Sequence, residues 1–280
     1  MSYLIAIPSY DRVRILQEKT LALLERNGIP KDSITIFVAD EEQLALYKAE
    51  LPDYRFVVAV KGILNARNFI TRYYSDSQRL VHIDDDLEEV FEKVNPDIKE
   101  SKLMIPLRLL EFFEKAFEEL ESKGLSICGV NPVNNPYFLY EKVTTDLRYC
   151  IGCFRLAINR HDIVLQHSSQ KEDVEQTLRA YVRDGGVLRY NHIAIKTRYY
   201  AKGGILSADC GDSLKKRKEL SKSACELLAA EFPKYGNLKM RKNGTWEFAL
   251  KRSPKVIQHQ AELQDGEVGV GLVVSEEIGV

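Results

Sequence analysis

Leu80-Val-His-Ile83-Asp84-Asp85-Asp86 is a four-residue apolar run that ends in three consecutive carboxylates. Upstream of it, the succession of apolar run, polar loop and amphipathic stretch occurs three times. Tyr3-Leu-Ile-Ala-Ile7 stops at Pro8-Ser9-Tyr10-Asp11-Arg12 and precedes an amphipathic stretch from about Arg14 to Arg26, closed by Asn27-Gly28 and Pro30. Ile34-Thr-Ile-Phe-Val-Ala39 runs into Asp40 and a helical stretch over 41–50. Arg55-Phe-Val-Val-Ala-Val60 runs into Lys61-Gly62 and a helical stretch over 65–74. Short apolar runs stopped by Gly, Pro or Asp predict strands, and the helical periodicity between them predicts helices. Strands alternating with helices at this spacing call for a parallel sheet with right-handed crossovers. Downstream, a charged helix is expected over 102–123, strands near 126–130, 149–159 and 187–195, and a helix near 171–183. The expected fold class is α/β, a mixed, mainly parallel sheet flanked by helices over residues 1–195. A basic extension at 196–255 and an acidic tail at 256–280 follow.

The 280 residues carry 40 Lys+Arg against 41 Asp+Glu, a net charge of −1, with 45% hydrophobic and 29% charged residues. That composition excludes wholesale disorder, a collagen or coiled-coil repeat and a polybasic tail. No apolar run reaches the roughly 18–20 residues that span a bilayer, and MSYLIAIPSYDR is no secretory leader. A cytoplasmic protein with no membrane partner is therefore expected. The five cysteines are odd in number and scattered, which fits reduced thiols. Cys150-Ile-Gly-Cys153 has no second pair and apolar flanks, so a buried strand is expected there in preference to a zinc or redox site.

The balanced total hides an uneven distribution. Residues 196–255 hold 15 basic against 6 acidic residues, and residues 84–121 hold 13 acidic against 5 basic. A basic face suits a polyanionic partner; the same counts also describe a solvated helix around Lys215, Lys216, Arg217 and Lys218.

In a sheet of this kind ligands bind beyond the carboxyl ends of the strands. Those ends carry Pro8 to Arg12, Asp40, Lys61-Gly62 and Asp84-Asp85-Asp86. Adjacent carboxylates repel, and a hard cation such as Mn²⁺ or Mg²⁺ relieves that while leaving positions for diphosphate oxygens. The competing reading is an N-cap for an acidic helix starting at Leu87. Asn65-Ala-Arg67 opens a helix after Lys61-Gly62, an arrangement suited to phosphate; the competing reading has Arg67 paired with the aspartates or in solvent. Asp40 serves either a nucleoside or a helix N-cap. Tyr10 and Arg12 either bracket a base or lie in a generic loop.

Taken together, IPSYDR, KGILNARNFI and VHIDDDL resemble the GT-A nucleotide-diphosphosugar transferases over residues 3 to 195. Within that superfamily they are most similar to the TET-associated and base-J DNA glycosyltransferase group of phages and kinetoplastids. The resemblance implies a nucleotide-sugar site on Pro8, Tyr10, Arg12, Asp40, Lys61, Asn65, Arg67, Asp84 and Asp85. It implies a metal on Asp84 and Asp86, with His192 as a late ligand; taken alone, His192 reads as structural. An acidic pair opening a helix near the acceptor, with an Arg beyond, matches Glu172-Asp173 and Arg179. Asp173 is the preferred catalytic base and Glu172 the other candidate.

The implied reaction moves a sugar, glucose foremost, from a UDP-sugar to the hydroxyl of a 5-hydroxymethylpyrimidine in DNA. One base and no second carboxylate nucleophile point to inversion. DNA would meet Lys196, Arg198, Lys202, Lys215, Lys216 and Arg217. Tyr199, Tyr200 and Trp246 would either stack on an extruded base or close the C-terminal core. A phage-encoded protein would work in the host cytoplasm. Transfer to a protein, glycan or small molecule is the first alternative. A nucleotidyltransferase or an inert nucleotide-binding module is the second.

Overall fold

The computed structural model describes residues 3–98, 100–167, 170–197 and 214–252. Arg198, Lys202, Tyr199, Tyr200, Cys210 and the expected acidic tail lie outside the described residues.

The first four apolar runs form β1 (Leu4–Pro8), β2 (Ile34–Val38), β3 (Arg55–Val58) and β4 (Arg79–Ile83). Between them lie α1, α2 (Glu41–Glu50) and α3 (Ile63–Tyr73). Helix α1 is continuous but not uniform: Val13–Leu16 and Ala22–Arg26 are α-helical, and Gln17–Leu21 between them is π-helical. Then come β5 (Leu87–Lys93), β6 (Met104–Pro106), α4 (Leu109–Ser122), β7 (Ile127–Asn131), β8 (Val143–Thr144) and β9 (Phe154–Ile158). The chain continues through α5 (Glu172–Asp184) and β10 (Leu188–Thr197) to α6 (Leu214–Glu231) and the hairpin β11 (Gly236–Met240) and β12 (Trp246–Leu250).

One ten-stranded sheet runs β3-β2-β1-β4-β9-β7-β10-β5-β6, with β8 on β10. Strands β1 to β4 are parallel, as their spacing requires. Strand β9 is inserted antiparallel between β4 and β7, with Ile83 opposite Phe154 and His82 opposite Arg155. The main core lies between sheet and helices: Phe112, Phe113 and Phe117 of α4 are buried, and Tyr3 packs on the latter two at 5.3 and 5.9 Å. A second cluster joins Leu178 and Tyr181 of α5 to Cys225, Leu228 and Phe232 of α6 and Phe248 of β12. Burying apolar area at about 25 cal/mol per Å² fixes this C-terminal unit onto α5. Within the hairpin, Gly236 leaves room for the Phe248 ring, which would lie 2.4 Å from a Cβ there.

Two expectations and one competing reading change. Leu87 opens a strand, not an acidic helix, because β5 pairs antiparallel with β10. The helix expected from 102 starts at Leu109, because Met104–Pro106 pairs with β5. Cys150 to Cys153 is a turn leading into β9, not part of a strand. There Cys150 packs against Gly129, where any Cβ would meet its Sγ at 2.8 Å. Burial pushes the thiols of Cys128, Cys150 and Cys153 up, so they are poor nucleophiles and metal ligands as they stand. Among the described residues no helix is long and apolar enough to cross a membrane.

Candidate active site

The carboxyl ends of β1 to β4 lie at one edge, and the first turns of α2 hold the loop after β1. Asp40 caps α2, its Oδ1 accepting from the Gln43 amide at 2.9 Å. Gln43 Oε1 in turn accepts from the amide of Asp11 at 2.8 Å. Asp11 has φ +52°, a left-handed conformation that Asp tolerates better than most residues. One turn on, buried Tyr47 accepts from the Arg12 amide at 3.0 Å and meets Ser9 Oγ at 2.7 Å. Ser9 donates to Asp85 Oδ2 at 2.7 Å, so the tyrosine is the donor to the serine. Asp40, Gln43 and Tyr47 share one helix face and anchor the loop to the aspartates. From the neighbouring loop, Lys61 Nζ stands 5.2 Å over the Tyr10 ring. Gly62, at φ +89°, makes the turn into α3, and a small cavity lies between Tyr10, Ala39, Val60 and Ala66.

The three aspartates have different surroundings. Asp85 is 5% exposed, with Ser9 on one oxygen and Arg12 Nη1 at 3.4 Å on the other. Burial pushes its carboxyl up to about 7 against the pull of Ser9 and Arg12. Asp86 accepts from Thr197 Oγ1 at 3.0 Å and Arg12 Nη1 at 3.3 Å, and is raised by burial and then by Asp84. Asp84 faces Arg67 and is about one third exposed. Beneath them the hydroxyl of Thr20 donates to the Asp84 carbonyl at 2.7 Å and accepts from the Leu87 amide at 3.0 Å.

Among the described residues no three His, Cys, Asp or Glu side chains converge on one point. The pair expected from the sequence, Asp84 and Asp86, offers two carboxylates on one turn. That set fits a hard dication of the Mg²⁺ type, which takes one or two carboxylates and completes its shell with water and substrate phosphate. Such a cation would also relieve Asp86, which burial and then the neighbouring Asp84 charge push up.

Arg67 reaches across to the second half of the site. It is 2% exposed, and its Nη2 donates to Asp84 Oδ1 at 2.5 Å and to the Gly152 carbonyl at 3.0 Å. Its Nε lies 3.7 Å from Glu172 Oε1 at the start of α5. Burial opposes its charge, but Asp84 and Glu172 outweigh that. Glu172 is buried and pushed up to about 8 by burial and by Asp173. Asp173 is half-buried; its Oδ2 accepts from the Tyr149 hydroxyl and its Oδ1 from the Val174 amide at 2.8 Å. Gly152 makes this approach possible, because a Cβ would sit 2.9 Å from Glu172 Oε1. Behind them lies Arg155, 1% exposed and lowered to about 10 by burial and by Arg67. Opposite it, buried His82 is pushed well below its usual value by burial and the two guanidiniums, so it stands neutral.

Arg12, Arg67, Asp84, Asp85, Asp86, Glu172 and Asp173 are thus brought to one edge. Pro8 ends β1 opposite Phe37, and Asn65 is exposed with its amide 3.3 Å from the Lys61 carbonyl. His192 is not brought to the aspartates. It lies 3.7 Å from Glu92 and against the Tyr190 ring, five residues along β10 from the Thr197 that touches Asp86. At about 3.3 Å per residue that is roughly 16 Å, too far for a shared metal, so that expectation is corrected. Arg179 ties Glu175 to Glu231 and packs on Phe232. Trp246 packs into the second core beneath Lys222.

Lys196 pairs with Glu88 at 3.1 Å, next to Thr197. Lys215 and Lys216 are exposed on the first turn of α6, with Arg217 half-buried beside them. Sequence reasoning missed Ser9, Thr20, Tyr47, Tyr149, Gly152, Arg155 and Thr197. Tyr47 carried a signal, its i+7 spacing from Asp40; a threonine inside an ordinary amphipathic pattern carries none.

No protein-family model matches the chain, and no curated protein matches it. Among solved structures the chain is similar to the mannosyltransferase PcManGT from Pyrobaculum calidifontis in complex with GDP-Man and Mn²⁺. The identity is 12%, covering 82% of this chain and 75% of that one, with a TM-score of 0.48. It is also similar to glucosyl-3-phosphoglycerate synthase from Mycobacterium tuberculosis in complex with Mn²⁺, UDP-Glc and phosphoglyceric acid. There the identity is 11%, over 90% and 89% of the two chains, with a TM-score of 0.48. Neither likeness assigns a substrate, a metal or an acceptor to this chain.

Proposed function

We propose that this chain is a metal-dependent GT-A glycosyltransferase that moves a hexose from a UDP-sugar to an acceptor hydroxyl. The observation that carries this is the position of Arg67. One buried guanidinium touches Asp84 on the donor side and faces Glu172 on the other, so a phosphate-binding edge and an acidic helix start share one site. Tyr10, Lys61 and Asp40 are placed to receive the nucleoside. Asp84 and Asp86 are the residues that would hold Mn²⁺ or Mg²⁺, which when bound neutralises charge on the departing diphosphate.

Asp173 is the proposed base, since it is half-buried and held by Tyr149, whereas Glu172 is buried against Arg67. It takes the proton of the acceptor hydroxyl as the oxygen bonds to the anomeric carbon. The bond from that carbon to the diphosphate oxygen breaks with its electron pair leaving on the diphosphate. Arg12 and Arg67 face that charge. One base and direct displacement give inversion.

For the acceptor, the proposal is a 5-hydroxymethylpyrimidine in DNA. Lys196 stands beside the Thr197 that touches Asp86, and Lys215, Lys216 and Lys218 are exposed on the first turns of α6. The test incubates the protein with a panel of nucleotide sugars, Mn²⁺ or Mg²⁺, and DNA with or without 5-hydroxymethylcytosine or 5-hydroxymethyluracil, followed by nucleoside mass spectrometry. A hexose mass gain on the modified base is expected. No gain on any DNA, with donor hydrolysis intact, removes the DNA acceptor and leaves the transferase; no donor turnover at all, in wild type as in Asp86→Ala, removes both.

A further inference from the structure

We infer that Thr20 is a positioning residue for the aspartate turn, placed there by the π-helical turn of α1. Its hydroxyl donates to the carbonyl of Asp84 at 2.7 Å and accepts from the amide of Leu87 at 3.0 Å. These are the residues that open and close the stretch bearing the three carboxylates. A single buried hydroxyl therefore spans that stretch from below. Thr20 is 0% exposed, so water does not compete for either bond.

The carboxylates themselves need such support, because their partners pull in different directions. Asp85 is drawn toward Ser9 on β1's loop, Asp86 toward Thr197 on β10, and Asp84 toward Arg67 on α3. The backbone from Asp84 to Leu87 sets the relation of Asp84 to Asp86; Thr20 holds both ends of it, beside the Cys153 carbonyl that accepts from the Asp84 amide at 3.0 Å and the Thr197 hydroxyl that donates to the Asp86 carbonyl at 3.2 Å.

A threonine inside a regular α-helix usually turns its hydroxyl back to the carbonyl four residues earlier. The π-helical run Gln17–Leu21 contains Thr20, whose hydroxyl points instead out of the helix. A π turn holds one extra residue, and one residue corresponds to about 100° of helix rotation. Leu16 before it and Leu23 and Leu24 after it all remain buried, so the irregularity costs the core nothing while Thr20 meets the turn.

This inference rests on the donor-site reading above and concerns a residue that reading does not include. The experiment compares Thr20→Val, Thr20→Ser and Leu24→Val. Binding of Mn²⁺ with UDP is followed by electron paramagnetic resonance of the bound ion and by calorimetry, with Tm recorded for each variant. Valine keeps the shape and removes both hydrogen bonds. Serine restores the hydroxyl. Leu24→Val trims a buried side chain of the same helix without touching the turn.

Thr20→Val is expected to bind Mn²⁺ and UDP about tenfold more weakly, equivalent to about 1.4 kcal/mol. Thr20→Ser is expected to recover most of that affinity, and Leu24→Val to keep wild-type affinity at a lowered Tm. Unchanged affinity in Thr20→Val, or an equal loss in Leu24→Val, overturns the positioning role while leaving the donor site standing. A wild-type protein that binds neither Mn²⁺ nor UDP overturns the donor site and this role with it.

Discussion

Arg67 meets Asp84 at 2.5 Å from a position that is only 2% exposed. The pair is half dry, with Asp84 open to solvent and the guanidinium sealed. Removing the buried member of such a pair leaves charge without compensation and costs about 3–5 kcal/mol. Arg67→Ala should therefore lose about that much stability in urea unfolding, and donor binding with it. Arg67→Lys should keep the fold better but lose donor binding, since an ammonium lacks the fork that reaches Asp84, Gly152 and Glu172 together. Wild-type UDP affinity in Arg67→Lys would contradict the placement of the donor site.

Stability should fall with pH because of Glu172. Burial and the Asp173 charge raise its carboxyl from an ordinary 4.5 to about 8. In that window the folded chain holds a proton that the unfolded chain has released. The contribution is complete below about pH 4.5 and lost as pH rises through about 8. With chelator present, Tm should be lower at about pH 8.5 than at about pH 6, and Glu172→Gln, neutral throughout, should shrink the difference. An undiminished difference in Glu172→Gln would show that another group is responsible.

Gly152→Ala places a methyl group 2.9 Å from Glu172 Oε1 and 3.2 Å from the Asp173 Cβ. Overpacking of this kind costs about 1–3 kcal/mol. The first turn of α5 must move outward, so transfer should drop by at least about tenfold, the equivalent of 1.4 kcal/mol, while UDP binding, made at the other half of the site, survives. Full transfer activity would mean that the α5 start takes no part in the reaction.

Asp173→Asn keeps the side chain's size, replaces one of its two accepting oxygens with an amide donor, and cannot take the acceptor's proton. It should abolish transfer without weakening UDP binding. Tyr149→Phe removes the hydroxyl that orients Asp173 and should give a partial loss, on the order of tenfold in kcat, with donor KM unchanged. Steady-state kinetics on both variants, varying donor and acceptor separately, will check this. A donor KM effect in either would place Asp173 on the wrong side of the site.

The parallel half of the sheet was legible because each strand is a short apolar run with a polar stop, and each stop became a site loop. Asp40 was legible as a helix cap, and the bond it accepts from the Gln43 amide bears that reading out. What failed depended on pairing between distant segments. Leu87–Lys93 has the charge pattern of an exposed helix, and only its ladder with β10 makes it a strand. His192 had the right order in the chain but sits midway along β10, five residues from the Thr197 that touches Asp86. Thr20 was invisible because a lone threonine among leucines carries no mark of the π turn that places it, and Gly152 because its role is defined by a helix twenty residues later.

The reversed direction of β9 has a consequence for how the site comes together in time. The donor edge is made by strands that follow one another closely, whereas the Tyr149–Cys153 turn reaches it only when β9 pairs with β4 and the Asp84 amide finds the Cys153 carbonyl at 3.0 Å. Closing so long a stretch of chain carries an entropy cost that nearby strands avoid, and such non-local pairings form slowly. The nascent chain thus has the elements that carry Asp84 and Arg67 before it has those that carry Gly152 and Glu172, and the two groups meet only with that late antiparallel pairing.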